Sequence, residues 1–203
     1  VALVIAVLMQ RLTQSTVLRS LVLAPYLVSN VVAAIVFLWI LDTQLGIFNI
    51  LLQWIGFDPI AFWASETWVI PTVALVNVWR HMGYTALLLF AGLQSIPDAY
   101  YQAAQIDGAS RTQVLRHVVI PTLYPTIRLS VFFAVVGSLQ LFDVVMPLTG
   151  GGPADSSQTM VTFLYTYGVM RMQVGLGSAV GVVLFVICVT LAFGYKRIFM
   201  RHD

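Results

Sequence analysis

The chain has 203 residues, of which 60% are hydrophobic and only 9% are charged. A water-soluble globule of this composition would have too few polar residues to cover its surface, so the composition predicts an integral membrane protein. The formal net charge is +2 and the basic residues are scattered, which excludes the clustered basic face that nucleic-acid binding needs.

The chain begins inside an apolar run, residues 1–9, which is too short to cross roughly 30 Å of hydrocarbon. We interpret this run as the end of a truncated helix. A signal peptide is the alternative interpretation, but the basic n-region and the small-residue cleavage site of such a peptide are both missing.

Four further segments are long and apolar enough to cross a bilayer, which takes about 20 residues in a helix. Backbone amides in lipid must be hydrogen-bonded within their own segment unless a barrel closes, and runs this long exclude barrel strands. The sequence therefore predicts an all-α membrane protein, a polytopic helix bundle that forms a single domain over residues 1–203. The predicted spans cover residues 21–41, 68–93, 122–147 and 174–195.

The basic residues predict the orientation, because Lys and Arg accumulate in short cytoplasmic loops. Arg80 lies within a span, and only Arg171 falls on the side where the acidic residues of the loops gather. We therefore expect a cytoplasmic C-terminus, a cytoplasmic loop over residues 94–121, and outer loops over residues 42–67 and 148–173. The basic residues that share the cytoplasmic side are Arg11, Arg19, Arg111, Arg116, Arg128, Lys196, Arg197 and Arg201.

The loop between the second and third spans predicts two short helices joined by a glycine turn. Ser95 and Asp98 have the spacing of a capping box, and Gly108 is placed to end the first helix, residues 97–107, in a left-handed conformation. Ser110 and Gln113 repeat the capping box and open a second helix. Pro121 is expected to end or kink that second helix before the next span.

The segment Gln102-Ala-Ala-Gln-Ile-Asp-Gly-Ala109, followed by Ile120-Pro121, resembles the "EAA" loop of permease subunits in binding-protein-dependent ABC importers. Gln102 stands where that family usually has a glutamate. The resemblance implies that the short helix docks a cytoplasmic ATPase; an amphipathic connector on the membrane surface is the alternative. The expected coupling residues are Tyr101, Gln102, Ala103, Ala104, Asp107, Gly108, Ala109 and Pro121.

A second resemblance covers Asp143-Val-Val-Met-Pro-Leu-Thr-Gly-Gly-Gly-Pro153, which is similar to the Thr-x-Gly-Gly-Pro loop of the first permease subunit of carbohydrate importers. With Asn77-Val-Trp79, Leu93-Gln-Ser-Ile-Pro97 and Gly175-x-Gly-Ser-Ala179, the likeness to the maltose-transporter type extends over nearly the whole chain. It implies the fold of a type I ABC importer permease. The glycine run lacks the Lys-Ser/Thr of a phosphate-binding loop, so it is not a nucleotide site.

One stripe of the second full span carries Asn77, Arg80, His81 and Tyr84 at helical spacing. A charge near the centre of a span costs about 2.5 to 3.5 kcal/mol, so Arg80 should face other helices or a wet cavity. The alternative for Arg80 and His81 is structural, a buried charge satisfied by backbone carbonyls. The next span has a stripe of mostly small residues, which leaves room for a ligand or for a close helix contact. Its members are Ala134, Gly137, Ser138 and Leu141; in the family that the chain resembles, positions in both stripes lie at or near the sugar site.

Three other patterns indicate packing or the lack of a metal site. Gly177 and Gly181 form a GxxxG pattern that predicts tight helix packing. Cys188 is expected to pack as a small hydrophobic residue. The three histidines, His81, His117 and His202, match no spacing of metal ligands, so no metal site is predicted.

These patterns, with the resemblance, predict the transmembrane subunit of an ATP-driven sugar importer, multi-pass in the bacterial cytoplasmic membrane. The resemblance implies a second permease subunit, two cytoplasmic ATP-binding subunits and an extracytoplasmic solute-binding protein. ATP and Mg are expected on those ATP-binding partners, and no cofactor on this chain. Arg80 and His81 keep glycerol phosphate open as a solute, and an amino acid or an oxyanion is a further alternative. A passive channel and a membrane-embedded enzyme are remote alternatives, since an enzyme should show paired carboxylates or a His/Asp cluster.

Overall fold

The computed structural model describes residues 1–12 and 15–199, and every regular element within those ranges is helical. The all-α fold class is therefore confirmed. Arg201 and His202 lie outside the described residues, as does the side chain of Arg11. The helices are α1 (Ala2–Leu12), α2 (Thr16–Leu27), α3 (Asn30–Ile40), α4 (Ile47–Trp54), α5 (Val69–Gln94), α6 (Asp98–Ile106), α7 (Arg111–Val114), α8 (Ile120–Leu139), α9 (Val145–Thr149), α10 (Met160–Phe163) and α11 (Val174–Phe199), with π-helical segments at Leu115–Val119 and Leu164–Met170.

In the described part of the chain, three helical stretches are long and apolar enough to cross a membrane. They are Val69–Gln94, Arg111–Leu139 and Val174–Arg197. Helices α2 and α3 pass the same test as a pair, so the number of spans is four if the pair is counted as one broken span. The protein is a multi-pass membrane protein.

The segment expected to form one helix over residues 21–41 is broken at Val28 and Ser29. Both residues have extended backbone, with ψ angles of 136° and 142°. Pro25 lies inside α2 and has no N–H to donate, which weakens the helical ladder near the end of α2. Ser29 then serves as the N-cap of α3, and its carbonyl accepts the Ala33 N–H at 2.9 Å. One continuous helix is thus replaced by two.

The segment expected to be helical over residues 122–147 ends earlier, because α8 stops at Leu139 and α9 starts only at Val145. Polar partners hold the intervening residues out of the helix. The Thr159 Oγ1 donates to the Leu141 carbonyl at 2.8 Å, and the Asn30 Nδ2 donates to the Asp143 Oδ2 at 3.3 Å. Both partners are distant in sequence, so the pattern of apolar residues could not reveal them.

The start of α6 differs from the expected capping box. Pro97 occupies the N-cap position and makes no side-chain cap hydrogen bond. Ser95 lies two residues before that position, and its Oγ donates back to the Gly92 carbonyl at 2.8 Å. The predicted Ser95–Asp98 capping box is therefore wrong, although the short helix itself is present.

The end of α6 agrees with the prediction. Gly108 has a φ of +68°, in the left-handed region. The Ala109 N–H donates to the Ala104 carbonyl at 2.9 Å, and the Gly108 N–H donates to the Gln105 carbonyl at 3.0 Å, which together form a Schellman motif. A capping box opens the next helix: the Ser110 N–H donates to the Gln113 Oε1 at 2.7 Å, and the Gln113 N–H donates to the Ser110 Oγ at 3.4 Å.

Pro121 does not end the helix that α7 begins. The helix continues through the π-helical segment Leu115–Val119 into α8, whose first turn contains Pro121. A proline clashes with the carbonyl four residues earlier and leaves that carbonyl without a donor. The wider π turn just before Pro121 shifts the hydrogen-bonding register and accommodates the ring.

The chain divides into two compact units. The first unit comprises Val1–Val28 and Trp79–Phe133. Its core forms where the buried face of α1 meets the last turns of α5 and the start of α8. Burial of this apolar cluster fixes α1 against the segment that carries α6. The core residues are Ala6, Met9, Leu89, Phe90, Leu93, Ile96, Val119 and Leu123.

The second unit comprises Ser29–Val78 and Ala134–Asp203. Asn49, which is fully buried, organises the connection between α3 and α5: its Nδ2 donates to the Asp42 and Ile60 carbonyls, and its Oδ1 accepts the Ile60 N–H. The backbones of Gly168 and Gly177 pack so closely that a Cβ on Gly177 would lie 2.7 Å from the Gly168 Cα. The tight packing predicted from the GxxxG pattern is thus present within this unit.

Candidate functional site

Helix α6 and the glycine turn that closes it carry most of the residues expected to couple to an ATPase. Gln102, Ala103, Asp107 and Gly108 are exposed, and Ala104 is half-buried. Pro121 belongs to α8 and is not part of this helix. The loop thus separates Pro121 from the other coupling candidates by the whole of α7 and a π-helical segment.

One exposed side of α6 is apolar. Ala99, Ala103 and Ile106 lie four and three residues apart, so they share one side of the helix, which we call the α6 face. All three are exposed, and Ile106 is 86% exposed. The two alanines have small side chains, so a groove of a partner protein can approach the helix closely and cover the isoleucine. Ile106 was not among the expected coupling residues, although a branched apolar residue in the last turn of a short polar helix was a usable signal.

Tyr101 lies on another side of α6, beside a cleft of about 680 Å³ within the first unit. The cleft lies between α1, α6 and the π-helical segment that follows α7, and Ala109 also lines it. The Gln10 Nε2 donates to the Tyr101 hydroxyl at 3.4 Å. Tyr101 therefore holds α6 against α1, and its contact lies within this chain.

Arg80 binds backbone carbonyls at the C-terminal end of α2. Its Nε donates to the Val28 carbonyl at 2.9 Å, and one of its terminal nitrogens donates to the Tyr26 carbonyl at 3.3 Å. Carbonyls at the end of a helix have no partner within the helix and carry the negative end of its dipole. The geometry therefore corresponds to the structural alternative for Arg80, a charge satisfied by backbone carbonyls.

The ring of Tyr26 lies against the side chains of the α5 stripe. It stacks on the Tyr84 ring with centroids 4.8 Å apart, and the His81 ring meets it edge-on at 5.9 Å. The other terminal nitrogen of Arg80 lies 3.4 Å from the His81 Nε2. A guanidinium has donors only, so any hydrogen bond across this contact is donated by Arg80. Tyr26 was missed by the sequence analysis, because nothing local links it to a helix more than fifty residues away.

The remaining candidates of the substrate path belong to the second unit. Ala134, Gly137 and Ser138 are exposed on the last turns of α8, whereas Leu141 lies beyond its end. No described atom outside the helix's own backbone lies within 4 Å of a Cβ placed on Gly137. The Ser138 Oγ donates to the Val135 carbonyl at 2.8 Å, within its own helix. Asn77 also belongs to this unit, by way of the first half of α5.

Comparison with known proteins gives the chain a family. A family model described as "Binding-protein-dependent transport system inner membrane component" matches residues 1–202. The sulfoquinovosyl glycerol transport system permease protein SmoG of Agrobacterium fabrum is 31% identical over 186 residues, which are 92% of this chain and 60% of that protein. The trehalose/maltose transport system permease protein MalF of Thermococcus litoralis is 29% identical over 192 residues, which are 95% of this chain and 65% of that protein.

A third relative is the sn-glycerol-3-phosphate transport system permease protein UgpA of Brucella abortus, 32% identical over 209 residues, with 99% of this chain and 69% of that protein covered. Among solved structures, a bacterial ABC transporter involved in the import of the acidic polysaccharide alginate has the same fold, with a TM-score of 0.85, 24% identity, and coverage of 98% of this chain and 72% of that chain. The chain spans less than two thirds of the length of SmoG and MalF. The family that the 102–109 motif predicted is confirmed, and the chain belongs to the binding-protein-dependent transport system inner membrane components.

Proposed function

We propose that this chain is the transmembrane subunit of an ATP-driven carbohydrate importer, in which it forms half of the translocation path and couples to a cytoplasmic ATPase through α6. The observation that carries the proposal is the α6 face: an exposed apolar surface on a helix closed by Gly108, in a chain of the transport family named above. A helix of this kind suits a groove in a partner protein.

The partners of this importer follow from the same proposal. A second permease subunit completes the path, two ATP-binding subunits bind ATP and Mg on the cytoplasmic side, and an extracytoplasmic solute-binding protein delivers the solute. The chain itself is a transport component and ATP hydrolysis takes place in the partners. The bacterial cytoplasmic membrane is the proposed location, with a cytoplasmic C-terminus; Lys196 and Arg197 in the last turn of α11 support that side.

A carbohydrate is favoured as the solute. Two of the relatives have names that specify sulfoquinovosyl glycerol and trehalose or maltose. Glycerol phosphate was open because Arg80 and His81 could bind an anion, but Arg80 donates to the Val28 and Tyr26 carbonyls in this arrangement. Among the described residues no group of three or more His, Cys, Asp or Glu could hold a metal ion.

Uptake by the complete transporter tests the proposal. The full subunit, with its second permease, ATPases and binding protein, is reconstituted in liposomes, and uptake of labelled maltose and trehalose is measured with and without internal ATP. We expect ATP-dependent uptake of at least one sugar. Replacing Asn77, His81 and Tyr84 by alanine should lower uptake at least about tenfold, because three polar or stacking contacts at roughly 1 kcal/mol each are removed.

The matched control is Leu75→Ala, which changes an exposed residue on the opposite side of α5 and should leave uptake unchanged. Assembly of the ATPase with the triple variant is checked by co-purification. Unchanged uptake rate and sugar preference in the triple variant would place the path elsewhere, and ATP-independent uptake would favour a passive channel.

A further inference from the structure

We propose that Arg80 is a positioning residue of the transport path: it caps the carbonyl end of α2 and thereby holds the Tyr26 ring against Tyr84 on α5. This role rests on the proposed function, because it takes Tyr84 to be a contact of the solute on the transport path. It differs from a solute-binding role, because the guanidinium acts on the backbone of α2.

The break after α2 creates the acceptors that Arg80 uses. Val28 turns out of the helix, so the carbonyls of Tyr26 and Val28 have no continuing helical turn to donate to them. Arg80 donates to both carbonyls, and its positive charge lies at the negative end of the α2 dipole. The broken end of α2 is thus satisfied by one side chain of α5.

A second contact fixes how closely α2 and α5 approach. A Cβ on Gly83 would collide with the Val22 carbonyl oxygen and would lie 2.9 Å from the Val22 carbonyl carbon. The α2 backbone therefore rests directly on Gly83, between Arg80 and Tyr84 along α5. With Gly83 as one anchor and Arg80 as the other, the last turn of α2 has little freedom to rotate.

The position of Tyr26 depends on both anchors. Its carbonyl is bound by Arg80, and its ring lies under the guanidinium with 5.4 Å between the guanidinium carbon and the ring centroid. The Tyr26 ring also stacks on the Tyr84 ring, which is itself 46% exposed. Arg80 thereby sets the orientation of an aromatic pair whose exposed member, Tyr84, is a proposed contact of the solute.

Lysine cannot replace Arg80 fully in this role. The planar guanidinium reaches two carbonyls and an aromatic face at once, whereas an ammonium is a compact point charge on a flexible stem. Arg80→Lys should therefore keep the charge in the span but hold Tyr26 less firmly, and Arg80→Gln should lose the charge as well. The two variants form a graded series at one position.

Cross-linking in the complete transporter tests the positioning directly. Cysteines replace Tyr26 and Tyr84 in a Cys188→Ser background, and the rate of bridging by a short thiol-specific reagent is measured. With Arg80 present we expect rapid bridging; Arg80→Gln should slow it about tenfold, the scale of a lost charge-assisted hydrogen bond, and Arg80→Lys should give an intermediate rate. Equal rates in all three would overturn the inference.

Arg128→Gln is the control, because Arg128 is a second arginine of the same unit and stacks on Tyr124. It should not change the bridging rate. With native tyrosines, Arg80→Gln should shift the ratio of maltose to trehalose uptake while assembly and basal ATP hydrolysis persist. An equal fall in maltose and trehalose uptake would show that Arg80 only stabilises the fold, and would contradict the positioning role. The complex with native tyrosines separates the two proposals. If it shows no ATP-dependent sugar uptake while bridging in the cysteine variant still depends on Arg80, the proposed function is contradicted and the positioning role stands.

Discussion

The substitution Gly108→Val is expected to abolish ATPase assembly on the transporter while the chain still inserts in the membrane. Gly108 has a φ of +68°, and forcing a residue with a side chain into that region costs roughly 1–2 kcal/mol, more for a β-branched one. The two Schellman hydrogen bonds that close α6 add roughly 1 kcal/mol each. A loss of about 3 kcal/mol corresponds to roughly a hundredfold in association.

Space is not the cause of this expected loss, since no described atom lies within 4 Å of a Cβ on Gly108. Gly108→Asn is therefore the informative control, because asparagine tolerates the left-handed conformation. It should retain most of the assembly, measured as ATPase that co-purifies with a tagged subunit from membranes. Normal uptake and normal assembly in Gly108→Val would refute a docking role for α6.

The substitution Gly83→Leu is expected to have the largest effect on stability. Its Cβ would collide with the Val22 carbonyl oxygen, which belongs to a helix backbone and cannot rotate away as a side chain can. Overpacking of this kind costs about 3 kcal/mol or more, and it would also displace α2 from Arg80. The expected result is a clear fall in the melting temperature of the detergent-solubilised subunit, with loss of uptake.

Gly137→Leu is the matched control for Gly83→Leu. Gly137 also lies in a long apolar helix, but the space around its Cβ is open. It should leave the melting temperature nearly unchanged, although uptake can fall if the α8 stripe lines the path. Equal melting temperatures for Gly83→Leu and the unmodified subunit would contradict the close approach of α2 and α5.

Local rules predicted those parts of the fold whose causes lie within a few residues. Gly108 ends α6 and Ser110 opens α7 because glycine conformation and capping act over one turn of chain. The same rule failed at Ser95, since Pro97 takes the N-cap position and leaves the serine hydroxyl to bond backwards. Pro121 does not end the helix, because a π-helical segment can accommodate a proline that an α-helix would not.

Features that depend on contacts between residues far apart in the chain could not be predicted from the sequence. The break at Val28 is satisfied by Arg80, which lies 52 residues further along the chain. The early end of α8 depends on Thr159, and the importance of Gly83 depends on Val22. The role of Arg80 could not be decided from the sequence for the same reason, because its carbonyl partners become available only where the helix breaks.

Photo-cross-linking from Ile106 tests the central claim, that α6 binds the ATPase, most directly. A photoreactive amino acid replaces Ile106 in the complete transporter, and the same amino acid replaces Trp54 on α4 in a control. Both residues are 86% exposed, so their intrinsic accessibility is matched, and the proposed topology puts them on opposite sides of the membrane. The account predicts an adduct with the ATPase subunit from position 106 and none from position 54. No ATPase adduct from position 106, or an ATPase adduct from position 54, would contradict it.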